Sequence, residues 1–259
     1  MLPMRLVYDQ DNVKVYHGDA RNLHLIPDCS VHLVVTSPPY FNARTEYSEW
    51  ATYPDYIGDM QHVWHECFRV LVNGGRIAIN VPHVYGRENG KDQCLPIEAN
   101  TIKGLEIAGF SLRGAIVWDK GVSVVSSSTA WGSWMSASNP SLRDQHEVII
   151  VAHKGSPRRL EKGESTITAE DFTNWTRSIW TIPPVSNSWH PAPFPAEIPR
   201  RLIELYTFKG EIVLDPMAGS CTTGWAASKA GRKGVCVEAS MDYITKACGP
   251  MFLISEESC

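Results

Sequence analysis

Two stretches of the 259-residue chain carry side chains whose types and spacing could do chemistry. The first is VHLVVTSPPYF, Val31 to Phe41, where a β-branched run ends in Thr36 and meets Ser37, Pro38, Pro39 and Tyr40. Proline fixes φ and removes a backbone donor, so the Pro38-Pro39 pair makes a rigid, extended loop whose carbonyls a sheet cannot all use. Such a loop presents oxygens to something else. The second is EIVLDPMAGSCTTGWAASKAGRKGVCVEAS, Glu211 to Ser240. A hydrophobic strand ends there in Asp215-Pro216, a turn through Met217, Ala218, Gly219 and Ser220 opens a helix at Thr222, and Glu238 closes the next strand, as in nucleoside-binding βαβ units. Gly219 would let a ligand approach the backbone, and Glu238 can accept hydrogen bonds from both hydroxyls of a ribose. The G-x-G-x-x-G pattern expected for a pyrophosphate is missing, and Asp215 would repel phosphates. An acid at this turn suits a ligand carrying an ammonium and a sulfonium, which points to S-adenosylmethionine rather than NAD.

These residues need a scaffold, and the surrounding pattern supplies one. NVKVYHGDA reads as a strand ending at Gly18-Asp19, and VHLVVTS as a strand buried on both faces, the pattern of a parallel sheet. DYIGDMQHVWHECFRVL places Ile57, Met60, Trp64, Phe68 and Leu71 at helical spacing, with Asn73-Gly74-Gly75 expected to end the helix before the strand RIAINV. A helix through LPIEANTIKGLEIAGF, strands GAIVWDK and HEVIIVAHK, a helix AEIPRRLIELYT, a strand EIVLDP, a helix TTGWAASKAG, a strand KGVCVEAS and a last helix from Asp242 complete the alternation. Strands alternating with helices predict an α/β fold with a Rossmann-like, doubly wound, mostly parallel sheet. The whole of 1–259 is expected to be a single domain, with two irregular segments set into it: a serine- and tryptophan-bearing loop over 121–145 and a Pro-, Ser-, Thr- and Trp-rich insert over 155–189.

Composition narrows the class further. With 43% hydrophobic and 20% charged residues the chain can bury a sizeable core, and no apolar run is long enough to span a bilayer. The first residues show no secretory pattern, so the expected location is the cytoplasm, with the nucleoid as its prokaryotic form. Seven cysteines, scattered without C-x-x-C spacing, argue for reduced, packed thiols. A net charge of −4 does not by itself favour nucleic acid, so any such partner must meet a local cluster of positive charge. His62 and His65 lie beside the apolar stripe of a helix, where solvent-facing histidines are expected rather than metal ligands, and no metal is expected.

TSPPYF after a strand, with VLDPMAGSCTTGWAA and GVCVEASMDY, resembles the DNA amino-methyltransferases that modify cytosine N4 or adenine N6. The S-P-P-Y element precedes the D-P-x-x-G-S element with the polar insert between them, the circularly permuted motif order of the β-class of that family. YHGDARNL, FRVLVNGGRIAINV, IVWDK, HEVIIVAHK and HPAPFPAEIPRRLI fall where the family has its secondary motifs, so the resemblance covers nearly the whole chain. The family often has Phe where Met217 stands and Gly or Asn where Cys221 stands.

The resemblance implies a class I S-adenosylmethionine-dependent methyltransferase fold and assigns roles. The Ser37 hydroxyl and the Pro38 carbonyl, kept rigid by Pro39, would accept the two amino hydrogens of the target base and aim its nitrogen at the methyl group. Tyr40 would stack on a base flipped out of the DNA duplex. Asp19 and Ala20 would lie near the adenine of the cofactor, Thr36 would be a further cofactor contact, and His190 and Phe194 would lie against its methionine end. Asp215, Pro216, Met217, Gly219, Ser220, Thr222 and Glu238 would form the rest of the cofactor site. Lys154, Arg158, Arg159, Lys162 and Arg177, with Trp175 and Trp180, are expected to recognise DNA from the insert, and 121–145 to face DNA as well. No cysteine follows a proline, so attack on cytosine C5 is excluded. Ser at position 37 accompanies cytosine more often than adenine in this family, which favours N4-methylation. Adenine N6, an RNA or small-molecule substrate, and a binding-only relative stay open, as do a homodimer and a cognate restriction endonuclease.

Overall fold

The computed structural model describes residues 2–41, 50–83, 94–121, 145–185, 188–190 and 195–249. Its strands are β1 (Arg5–Gln10), β2 (Val13–His17), β3 (Val31–Thr36), β4 (Leu71–Val81), β5 (Phe110–Asp119), β6 (His146–Lys154), β7 (Ile179–Thr181), β8 (Ile212–Asp215) and β9 (Lys233–Glu238). Its helices are α1 (Tyr53–Val70), α2 (Ile97–Ala108), α3 (Ala169–Trp175), α4 (Glu197–Tyr206), α5 (Thr222–Lys229) and α6 (Met241–Cys248). All the described strands join one sheet in the order β1-β2-β9-β8-β3-β4-β6-β5-β7. The run from β2 to β4 is parallel throughout, β6 is antiparallel to both its neighbours, β5 and β7 are parallel, and β1 adds an antiparallel edge.

The sheet is covered on both faces because its central strands are apolar on both. Val34, Ile77, Ile79, Ile150 and Leu214 pack with residues of α1 and α2, whereas Leu33, Val35, Ala78, Ile149, Val151 and Val213 pack with residues of α4 and α5. Helix α1 begins at a capping box in which Thr52 accepts from the Asp55 amide and Asp55 accepts from the Thr52 amide. Among the described residues no helix is long and apolar enough to cross a membrane.

Two local expectations differ from the structure. Helix α1 ends at Val70, and Asn73-Gly74-Gly75 lies inside β4, where Gly74 takes φ +78° and the pairing of β3 with β4 shifts register. The glycines mark a bulge in a strand, a use of positive φ that composition does not separate from a helix cap. Trp175 and Trp180, expected to contact DNA, are core residues of the second cluster, and Trp180 keeps only 1% of its surface exposed. Strand β7, which carries Trp180, docks on β5 beside Trp118, so this part of the insert is scaffold.

Candidate active site

The parallel strands β3, β8, β9 and β2 all end at the same edge of the sheet, which brings Thr36-Ser37, Asp215, Glu238 and Gly18-Asp19 together. In a doubly wound sheet the crevice beyond these carboxyl ends is where ligands bind.

One half of the site is the turn from Asp215 to Thr222. Asp215 is 2% exposed, and its carboxylate accepts from Thr223 Oγ1 at 2.8 Å and from the Met217 amide at 3.2 Å. Burial raises its pKa to about 6, against the lowering effect of those donors and of Thr36. Thr36 Oγ1 is itself buried and, although near that carboxylate, does not complete a hydrogen bond among the described residues. Glu238 ties the turn to the end of β9: it accepts from the Gly219 amide at 2.7 Å and from the Ser240 amide at 2.8 Å. Pro216 and Ala218 are buried, Met217 packs against the first core cluster, and Ser220 and Thr222 share a hydroxyl contact of 2.9 Å. Cys221 has φ +58°, a left-handed conformation that Gly or Asn adopts at lower cost.

His190 lies over this turn, its ring 4.8 Å from that of Tyr243. Gly219 has φ +50°, and a Cβ on it would lie 2.6 Å from His190 Nε2. Gly219→Ala is therefore expected to combine left-handed strain of ~1 kcal/mol with a displaced His190. Thermal unfolding should show the loss of stability, and calorimetry a weakened cofactor. Phe194 lies outside the described residues, as do 122–144 of the loop expected to face DNA.

Asp19 and Ala20 follow β2, and the Gly18 amide donates to the Glu238 carbonyl at 3.0 Å, which fixes them beside the end of β9. Asp19 is held by Arg21, whose Nε donates to Oδ1 at 2.9 Å and to Oδ2 at 3.0 Å, while its Nη1 donates to Asp59 at 2.6 Å. Burial acts to raise the Asp19 pKa, but the hydrogen bonds from Arg21 prevail and hold it below the ordinary value. An adenine amino group would share this carboxylate with a guanidinium.

The other half of the site is polar and joins Ser37 and Tyr40 to three residues that the sequence did not mark, Asn80, Lys120 and Glu147. Ser37 Oγ lies 3.2 Å from the Tyr40 hydroxyl, and Tyr40 donates to Glu147 Oε2 at 3.0 Å. Asn80 Nδ2, at the end of β4, lies 2.5 Å from Glu147 Oε2, 3.2 Å from the Tyr40 hydroxyl and 3.4 Å from Ser37 Oγ. Lys120 donates to Glu147 Oε1 at 2.5 Å. The Tyr40 pKa is raised well above its ordinary value, first by burial and then by the charge of Glu147. Pro38 is buried, whereas Ser37, Pro39 and Tyr40 are half-buried and line the mouth. Asn80, Lys120 and Glu147 close RIAINV and IVWDK and open HEVIIVAHK. Only the antiparallel register, which sets Trp118 opposite Glu147 and Asn80 opposite Ile149, brings them to Ser37.

Two of the basic residues expected to recognise DNA, Arg159 and Lys154, are placed differently from expectation. Arg159 forms an ion pair with Glu211, just before β8, and its side chain is 9% exposed. Lys154 donates to the Leu71 carbonyl at 2.8 Å. Both lie at the amino ends of the parallel strands, the edge opposite Ser37. Arg158, Lys162 and Arg177 are exposed. Arg159→Ala is expected to cost ~1 kcal/mol through the loss of a partly buried ion pair. A lowered Tm with an unchanged salt dependence of DNA binding would be the sign of this structural role.

Comparison with known proteins shows the family. Residues 31–248 match a family described as DNA methylase, N6_N4_Mtase. The type II methyltransferase M.MjaI of Methanocaldococcus jannaschii is 32% identical over 263 residues, covering 86% of this chain and 86% of that protein. The type II beta methyltransferase M.BslI of Bacillus sp. (strain NEB-606) is 32% identical over 248 residues, covering 90% of this chain but only 27% of its own length, so the chain spans about a quarter of that relative. The structure of a DNA modification methylase from Thermus thermophilus, TTHA0409, complexed with S-adenosyl-L-methionine, superposes with a TM-score of 0.71 at 32% identity, covering 89% of each chain.

Proposed function

Because the chain belongs to the DNA methylase family that joins N6 and N4 amino-methyltransferases, we propose that it transfers a methyl group from S-adenosylmethionine to the exocyclic N4 amino group of cytosine in DNA. The observation that carries this reading is Ser37, a neutral hydroxyl held at the carboxyl edge of β3 by Tyr40 and Asn80, in the sequence Ser-Pro-Pro-Tyr.

The residues present fit the cofactor. Asp215 and Glu238 offer carboxylates to a cationic ligand, and Asp19 adds a third. Gly219 leaves room that a Cβ would close. S-adenosylmethionine, when bound, supplies an electrophilic methyl on a sulfonium. The chain's own task is to bring an amino nitrogen to it. That nitrogen donates its lone pair into the ring and is a poor nucleophile until acceptors on its N–H groups draw it toward tetrahedral geometry. Ser37 Oγ and the Pro38 carbonyl are those acceptors, and their fixed placement supplies proximity and preorganised dipoles. The half-buried ring of Tyr40 gives the flipped base a surface. The Lys120 amide donates to the Gln145 carbonyl at 3.0 Å beside the Tyr40 and Glu147 cluster, which supports a DNA-facing role for the loop expected over 121–145. The insert 155–189 would contribute through its last part, which follows β7 toward the same edge.

The type II relatives support a place for this methylation beside a cognate endonuclease. The same acceptors would serve adenine N6, which is the second reading. Labelled methyl transfer to duplex DNA, absent with RNA of the same sequence, tests the proposal; cofactor binding without transfer to either would refute it.

A further inference from the structure

An amino nitrogen that gains a methyl group must lose a proton, and Ser37 is neutral. It can take that proton only while passing on its own. We propose that Glu147 is the final acceptor, reached through Ser37 and Tyr40, with Lys120 and Asn80 holding its carboxylate in place. The inference rests on amino-methyl transfer and holds for either base.

The direction of each hydrogen bond follows from the end of the chain. An ionised carboxylate only accepts, and Glu147 accepts from Lys120, Asn80 and Tyr40. Tyr40 has one proton and gives it to Glu147 Oε2. The Ser37 hydroxyl, 3.2 Å away, therefore donates to the Tyr40 oxygen, which leaves a Ser37 lone pair for the N–H of the target. Glu147 thus makes Ser37 an acceptor at a distance.

The proton balance closes. The N–H bond of the methylated amino group breaks and an O–H bond forms on Ser37. The original Ser37 proton moves to the Tyr40 oxygen, and the original Tyr40 proton moves to Glu147 Oε2. The nitrogen loses its positive charge, Glu147 becomes a neutral acid, and Ser37 and Tyr40 return to their starting forms. Glu147 gives the proton to solvent before the next turnover. The raised pKa of Tyr40 suits a group that passes protons without remaining ionised. The other titratable groups around the relay are Tyr56, whose charge would act on Tyr40, and His146, next to Glu147 in β6 with its ring 6.3 Å from that of His83.

Glu147 is a positioning residue, and its test needs more than a lower rate. Glu147→Gln and Tyr40→Phe preserve size and are to be compared with the parent by calorimetry with S-adenosylmethionine and with duplex DNA, and by single-turnover methylation across pH. Affinities like the parent's are expected, with a methylation rate lower by ~10-fold or more in both variants. With S-adenosylmethionine saturating at every pH, so that the Asp215 dependence of cofactor binding does not enter, the parent rate should fall toward acid pH, Glu147→Gln should lose that acid limb, and Glu147→Asp should restore it. A parent-like rate in either variant, or an acid limb that persists in Glu147→Gln, would overturn the relay alone. A parent inactive on every nucleic acid would overturn the proposed function and the relay with it.

Discussion

Asp215→Asn is expected to yield a protein that is more stable at neutral pH and binds S-adenosylmethionine poorly. The carboxyl is almost wholly buried, and its pKa stands at about 6 in the folded chain against an ordinary value of 3.8. The folded state binds this proton more tightly than the unfolded state does. The associated stability is therefore fully present below about pH 4 and is lost as the pH rises through about 6. At pH 7 the buried charge costs up to ~3 kcal/mol. An amide of the same shape keeps one acceptor oxygen for the Met217 amide and turns its NH2 to the Thr223 hydroxyl, which then accepts, and it carries no charge, so a gain of ~1–3 kcal/mol is expected in chemical denaturation. A cationic cofactor would favour the ionised carboxylate. Affinity in the parent should then rise with pH through about 6, and Asp215→Asn should lose both that dependence and ~1–3 kcal/mol of binding. Calorimetry at two pH values on either side decides the matter; a variant that binds like the parent would remove Asp215 from the cofactor site.

Ser37→Ala is expected to separate chemistry from binding. Ser37 makes no hydrogen bond to the Asp215 turn among the described residues, and its described partners are Tyr40 and Asn80. Cofactor affinity should be unchanged. The single-turnover methylation rate should fall by ~10-fold or more, the scale of a hydrogen bond that matters most in the transition state. An equal loss of cofactor affinity would place Ser37 in the binding site instead.

Much of this architecture could be read from the residues. The apolar runs of β3 and β8 are buried on both faces, so their pattern is continuous and their ends, Thr36 and Asp215, are well marked. The Gly219 turn and Glu238 could be found because a βαβ unit fixes their spacing. Strand β1 went unread because it is an edge strand of six residues with a mixed pattern, and Asn73-Gly74-Gly75 was read as a cap because a bulge uses the same residue types. The polar cluster was the larger omission. Asn80, Lys120 and Glu147 each look like an ordinary polar residue at a strand end, and only the register of three antiparallel strands gathers them. Trp175, Trp180 and Arg159 show the converse. Aromatic and basic residues in an irregular segment look like a recognition surface, yet here the tryptophans fill the core and the arginine neutralises Glu211.

The central claim is amino-methyl transfer to cytosine in DNA. Duplex DNA methylated by the protein with isotopically labelled S-adenosylmethionine, digested to nucleosides and resolved by mass, tests it most directly. The label is expected in N4-methylcytosine. Label in N6-methyladenine would contradict the choice of base, and label in 5-methylcytosine would contradict the site chemistry itself.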